Sequence, residues 1–102
     1  MSGLAARRRV RIVNPMGLHA RPAGRFVAEV ERHAAQVRVR CNGEEVDGGS
    51  ILSLLMLEAV QGVALEIEAQ GDDATQAVEA LAALVARGFE EADDCVGRGA
   101  RD

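Results

Sequence analysis

Val37-Arg38-Val39-Arg40-Cys41-Asn42-Gly43-Glu44-Glu45-Val46-Asp47 is the stretch that decides the fold. Its first five residues alternate apolar and arginine, the period-two pattern of a strand with one face buried and one wet. Asn42-Gly43 then supplies the pair that accepts positive φ at both centres of a two-residue hairpin turn. The chain therefore doubles back, and Glu44 to Asp47 returns as a short strand. A hairpin of this kind implies an antiparallel sheet, one face of which can remain in water.

Downstream, Gly48-Gly49 ends the returning strand and Ser50 stands where a helix N-cap belongs. Ile51 to Val60 is predicted as a short helix, apolar on more than one side. Such a helix is either half swallowed by the core or carries an exposed apolar patch. Gln61-Gly62 stops it. Val63, Leu65, Ile67 and Ala69 alternate with acids as a further strand. After the Gly71-Asp72-Asp73 turn, Ala74 to about Glu91 is predicted as the longest helix, with Ala77, Val78, Leu81, Leu84, Val85 and Gly88 facing inward.

Upstream, Ala23, Phe26, Val27, Val30 and Ala34 fall three and four residues apart, so a helix is predicted from Ala20 onward. Arg25 and Glu29 are spaced for an i,i+4 pair. His33 is expected to cap the last carbonyls of that helix. Arg9 to Val13 alternates as a strand that Pro15 and Gly17 break. The order is β-α-β-β-α-β-α. The expected architecture is an α/β two-layer sandwich, a four-stranded antiparallel sheet with three helices on one face. Residues 8–91 form the expected domain, with 1–7 a flexible lead and 92–102 a flexible tail.

The chain has 102 residues, enough for one domain with a single core. That core must be aliphatic, since Trp and Tyr are absent and Phe occurs only at Phe26 and Phe89. The net charge of −4 argues against a general nucleic-acid role. Arg7-Arg8-Arg9-Arg11 is a local exception, read as a basic end running into an edge strand. Cys41 and Cys95 have neither metal nor redox spacing and are read as two free thiols. No run of apolar residues is long enough to span a membrane, and no apolar h-region follows the N-terminal arginines. Cytoplasmic residence without membrane insertion is the expectation.

The chemistry points to Asn14-Pro15-Met16-Gly17-Leu18-His19-Ala20-Arg21-Pro22-Ala23. His19 falls at the junction of a loop and a helix start. A neutral imidazole nitrogen is a competent nucleophile. A phosphoryl group on it would lie at the positive end of the helix dipole, near the N–H groups of Ala20 and Arg21. The Arg21 guanidinium suits bidentate contact with phosphate oxygens. Gly17 permits a sharp turn and leaves room for a donor protein. Pro22 is tolerated because the first helical turn has no intrahelical use for its missing N–H.

Gly17-Leu18-His19-Ala20-Arg21-Pro22-Ala23 resembles the active-site signature of HPr, the histidine-containing phosphocarrier family of the phosphoenolpyruvate-dependent sugar phosphotransferase system. The similarity spans about residues 8–91 and includes a second element, Val46-Asp47-Gly48-Gly49-Ser50-Ile51-Leu52. The resemblance implies that His19 accepts phosphate from enzyme I and donates it to IIA proteins, that Arg21 contacts the phosphoryl group, and that Pro22 shapes the helix start. It implies that Ser50 is the position modified by HPr kinase/phosphorylase where that control exists, with a transcriptional or metabolic regulator as a further partner. The apolar residues after it, Ile51, Leu54 and Leu55, would receive partner proteins. Met16 and Gly48-Gly49 depart from the usual residues at their positions. The implied protein is a monomeric covalent carrier, not a self-contained catalyst, and requires no metal or cofactor of its own. A nitrogen-type or regulatory paralogue acting on control proteins, and a docking module read out through phosphorylated Ser50, are the alternatives.

Overall fold

A computed structural model describes residues 5–90. Strand β1 (Ala5–Arg11) leads through a loop into helix α1 (Ala20–Val30), and the hairpin follows as β2 (Gln36–Cys41) and β3 (Glu44–Asp47). Helix α2 (Ile51–Met56), strand β4 (Ala64–Gln70) and helix α3 (Ala74–Ala86) complete the order, with a single 3-10 turn at Gly88–Glu90. The sheet order is β1-β4-β2-β3, antiparallel throughout. The architecture is the expected four-stranded sheet with three helices.

Asn42 and Gly43 both adopt positive φ, 52° and 87°, as the hairpin requires. Across the sheet Val39 faces both Val46 and Ile67, so the inward-facing residues of three strands share one face. Phe26 of α1, Leu54 of α2 and Leu81 and Val85 of α3 close over that face, each essentially without exposed surface. The two phenylalanines, Phe26 and Phe89, are fully buried within an otherwise aliphatic core.

Element boundaries depart from the sequence reading in several places, among them the end of β1, which stops at Arg11 rather than Val13. β1 begins at Ala5, inside the stretch expected to be a flexible lead. Its register with β4 runs unbroken from Ala5↔Gln70 to Arg11↔Ala64. The alternation was hidden because Arg8 occupies an inward position, opposite Ile67, and meets Glu79 of α3. Residues 1–4 and the expected tail at 92–102 lie outside the described residues.

α1 ends at Val30, so Ala34 belongs to the following turn rather than to the helical stripe. α2 stops at Met56 instead of Val60, with Glu58 in the left-handed region at φ 51°. α3 stops at Ala86 because Gly88 turns the chain at φ 71°, the conformation in which helices commonly end. Gly88 is buried as expected, but in the 3-10 turn rather than in α3. The turn it starts drops Phe89 into the core.

Two side-chain expectations are also corrected. Glu29 faces Arg32 at 3.9 Å and His33 at 2.8 Å. Arg25 instead donates from Nη1 to the Phe89 carbonyl at 2.6 Å. The His33 ring, from Nε2, meets the Glu29 carboxylate one turn back rather than the last carbonyls of α1.

Candidate functional site

Asn14-Pro15-Met16-Gly17 forms a tight turn between β1 and α1. Asn in the first position, Pro in the second and Gly in the fourth are the preferences of such a turn. The Gly17 N–H donates to the Asn14 carbonyl at 3.1 Å. The Asn14 side chain closes the same turn from the other side, its Nδ2 donating to the Gly17 carbonyl at 2.8 Å. Asn14 is 4% exposed, so this bracing takes place away from bulk water.

The Gly17 carbonyl also accepts the His19 N–H at 3.0 Å, which carries the bracing to the histidine. Gly17 lies at φ 70° directly against the segment after α2. A Cβ there would stand 2.4 Å from the Ala59 carbonyl oxygen. That carbonyl accepts the Leu18 N–H at 2.9 Å. Farther out, Ile12 donates to the Val63 carbonyl and accepts from Gly62, while Gln61 reaches the Val13 carbonyl. The turn before α1 is thus zipped along its length to residues 59–63. Gly88 packs on its far side against Val13 and Asn14.

His19 is the N-cap residue of α1, with extended backbone at φ −94° and ψ −166°. Its carbonyl accepts the first helical bond, from Ala23 N–H at 2.9 Å. Its side chain makes no capping bond, and the residue is partly exposed. The intrahelical ladder begins at Ala23 and Pro22 has no N–H, so the N–H groups of Ala20 and Arg21 are the helix-start donors that have no intrahelical acceptor. Ala20 and Arg21 are exposed, whereas Pro22 and Ala23 are buried and anchor the first turn. An anion carried on His19 would meet those two backbone donors and the helix dipole together.

Ser50 caps α2. Its Oγ accepts the Ser53 N–H at 3.2 Å. The preceding turn is held by Asp47, whose Oδ1 accepts the Gly49 N–H at 2.8 Å and whose carbonyl accepts the Ser50 N–H. Gly48 packs tightly on β2, and a Cβ there would come within 2.7 Å of Val37. α2 lies beside α1, with Ile51 reaching Gly24 in the second turn of that helix.

The three residues named for docking divide. Ile51 is 43% exposed and Leu55 is partly buried, but Leu54 is completely buried. Leu54 belongs to the core and cannot meet a partner. Besides Ile51, the exposed apolar residues of α2 are Leu52 and Met56, 69% and 68% exposed, and Met16 and Val60 add to them. Four contributors escaped the sequence reading: the bracing role of Asn14, the Ala59 carbonyl, Leu52 and Met56. Only Asn14 had a sequence signal, its place at the head of the Asn-Pro-x-Gly turn.

Residues 6–87 match the family model described as the PTS HPr component phosphorylation site. Phosphocarrier protein HPr of Pseudomonas aeruginosa is 40% identical over 85 residues, covering 82% of this chain and 94% of that protein. Phosphocarrier protein NPr of Proteus mirabilis is likewise 40% identical over 85 residues, with the same coverage. Among solved structures, phosphocarrier protein HPr from Bacillus anthracis superposes with a TM-score of 0.77 at 36% identity, covering 81% of this chain and 99% of that one. HPr-C-His from Thermoanaerobacter tengcongensis gives 0.80 at 34% identity, covering 84% and 97%.

Proposed function

Because this chain belongs to the HPr family of phosphocarrier proteins, we propose that His19 is its phosphoryl acceptor and donor. Enzyme I, itself phosphorylated from phosphoenolpyruvate, supplies the group. A neutral ring nitrogen of His19 attacks phosphorus, an N–P bond forms, and the donor's bond to phosphorus breaks with the electron pair leaving on the donor. The reverse exchange, with a IIA protein as nucleophile, regenerates His19.

The observation that carries this reading is the placement of His19. It is the N-cap residue of α1, in a doubly braced turn, with a ring that does not serve as the cap. The N–H groups of Ala20 and Arg21 receive the phosphoryl oxygens, and the Arg21 guanidinium adds a charge-assisted contact. Gly17 and Pro22 set the approach. The exposed side chains of Ile51, Leu52 and Met56, with Leu55 at the margin, form the apolar surface that successive partners cover. Ser50, at the head of that surface, is the candidate regulatory position; a phosphate there sits at a helix N-terminus and acts on docking rather than folding. HPr kinase/phosphorylase and a regulator that reads phosphorylated Ser50 are the partners this control would use. The carrier works as a monomer in the cytoplasm.

Equal identity to an HPr and an NPr supports a second reading, a nitrogen-type carrier that serves control proteins. Labelled phosphoenolpyruvate with a sugar-type or a nitrogen-type enzyme I separates the two by which donor transfers faster. Either reading predicts acid-labile, base-stable label that is lost in His19→Ala; label surviving that substitution overturns both. Arg21→Ala should fold normally and slow transfer about 10- to 100-fold, the loss of a hydrogen bond to a charged group worth about 1.5–3 kcal/mol. For Ser50, incubation with ATP and an HPr kinase should yield acid-stable phosphoserine; no modification under conditions that phosphorylate a known HPr rejects that role.

A further inference from the structure

The N-terminal arginines have no part in the phosphoryl chemistry, but the sheet gives them an order. On its outer face the register aligns Arg7, Glu68, Arg38 and Asp47 in one row and Arg9, Glu66, Arg40 and Glu45 in the next. The strands therefore alternate in sign: β1 positive, β4 negative, β2 positive, β3 negative. Ion pairs join the columns, Arg7 to Glu68 at 3.6 Å, Arg40 to Glu66 at 3.8 Å and Arg40 to Glu45 at 2.8 Å. The alternation stops at β1, the outermost strand among the described residues. There it ends with a surplus, since Arg11 lies opposite Ala64 rather than an acid.

We propose that the open edge of β1 is a docking site for an acidic, extended segment of a partner protein, which joins the sheet as a fifth strand. An edge strand presents alternate N–H and C=O groups along its length, ready for strand addition. The sheet's own pairing states what the added strand must carry: carboxylates at every second position, opposite Arg7 and Arg9 as β4 already offers on the other side, and opposite Arg11, where β4 offers none. Its remaining side chains point to the helical face. A groove of about 220 Å³ lies there between β1 and α3, lined by Val10, Ala82, Ala83 and Ala86 with Arg8 and Glu79. The three alanines leave room for small apolar side chains.

Charge also selects against other occupants. A second copy paired edge to edge would set arginine against arginine, and like charges directly opposite are destabilising. A nucleic-acid strand laid over the outer face would bring its phosphates onto Glu66 and Glu68 as well as onto the arginines. A single acidic strand beside the edge meets the arginine column without crossing the glutamates.

The test uses the full-length, isotope-labelled protein and a blocked peptide of alternating glutamate and valine. Amide NMR should show shifts confined to Ala5–Arg11 and to the Ala82–Ala86 stretch of α3. Binding should weaken several-fold between about 50 and about 300 mM salt, as screening of exposed charges requires. Arg7→Gln combined with Arg9→Gln should weaken it about tenfold or more, the loss of two cross-strand charge pairs at up to about 1 kcal/mol each. If that double variant does not fold, a peptide with glutamine in place of glutamate decides alone, because it should not bind. Equal binding of the glutamine peptide, shifts at α2 or β3 instead of β1, or self-association through β1 in sedimentation would each overturn the proposal. Tighter binding of a single-stranded oligonucleotide at β1 would do the same and reassign the edge to nucleic acid.

Discussion

Replacing Gly17 with alanine should unseat the turn that carries His19, and a second glycine provides the control. Gly17 and Gly43 both have positive φ, 70° and 87°. An alanine at either site incurs the left-handed conformational cost of about 1–2 kcal/mol. At Gly43 nothing lies within 4 Å of the added Cβ, so that is the whole cost. At Gly17 the Cβ would sit 2.4 Å from the Ala59 oxygen and 3.0 Å from the Val60 Cα, both backbone atoms. Backbone displaced by overpacking costs about 1–3 kcal/mol. Moving that carbonyl also weakens its bond from the Leu18 N–H, worth a further 0.5–1.5 kcal/mol or about that. Gly17→Ala should therefore be less stable than Gly43→Ala by about 2–4 kcal/mol, on a total stability of about 5–15 kcal/mol for a domain. At about 4–8 °C per kcal/mol, the two melting temperatures should differ by about 10 °C or more. Urea and thermal unfolding followed by circular dichroism measure the gap, and phosphorylation by enzyme I should fall only in the Gly17 variant. Two variants within about 1 kcal/mol of each other would refute the idea that close backbone contact with Ala59 seats the loop.

On α2, Leu54→Ala should cost about 2–5 kcal/mol as a core truncation, whereas Leu52→Ala should change stability by less than about 0.5 kcal/mol yet weaken partner docking; chemical denaturation beside a transfer assay tells them apart, and similar stability losses would contradict the assigned burial. Ser50→Ala should lose about 1 kcal/mol by orphaning the Ser53 N–H, while Ser50→Asp should retain the cap; urea midpoints test this, and an undiminished alanine variant would mean the cap contributes nothing. The Glu45 carboxyl is held below the usual glutamate range by hydrogen bonds from Arg40 and then Arg38. Its stabilising contribution is thus present above the unfolded carboxylate pKa, about 4.3, and is lost as pH falls through the lower folded value. The stability difference between the protein and Glu45→Gln should vanish on acidification and shrink in salt, as exposed pairs do; a difference persisting well below the carboxylate range would show that charge is not its cause.

Local chemistry explains which features were legible. The β2–β3 hairpin needs only its alternation and an Asn-Gly pair, and the start of α1 needs only the residues around His19. Helix ends were less legible because distant demands set them. α2 stops before Val60 since the Ala59 carbonyl is taken by Leu18, and Gly62 and Val63 are taken by Ile12. Leu54 and Leu52 look alike in a six-residue helix, and only the packing of α2 beside α1 shows which one is covered. Arg25 could not be assigned from its own helix, because its partner Phe89 is 64 residues away.

The sequence by itself determined the order of elements, the antiparallel sheet and the placement of His19 at the start of α1, since each depends on residues within a few places of one another. Tertiary structure alone decided how His19 is held. The bracing comes from Asn14 within the turn, from Ala59 beyond α2 and from Gly88 beyond α3, and those segments meet only when the core closes. It also decided the role open to the arginines of β1. Their signs acquire an order only once β4, β2 and β3 lie beside them, because charge pairing across a sheet depends on register, which the spacing of residues along one strand does not contain.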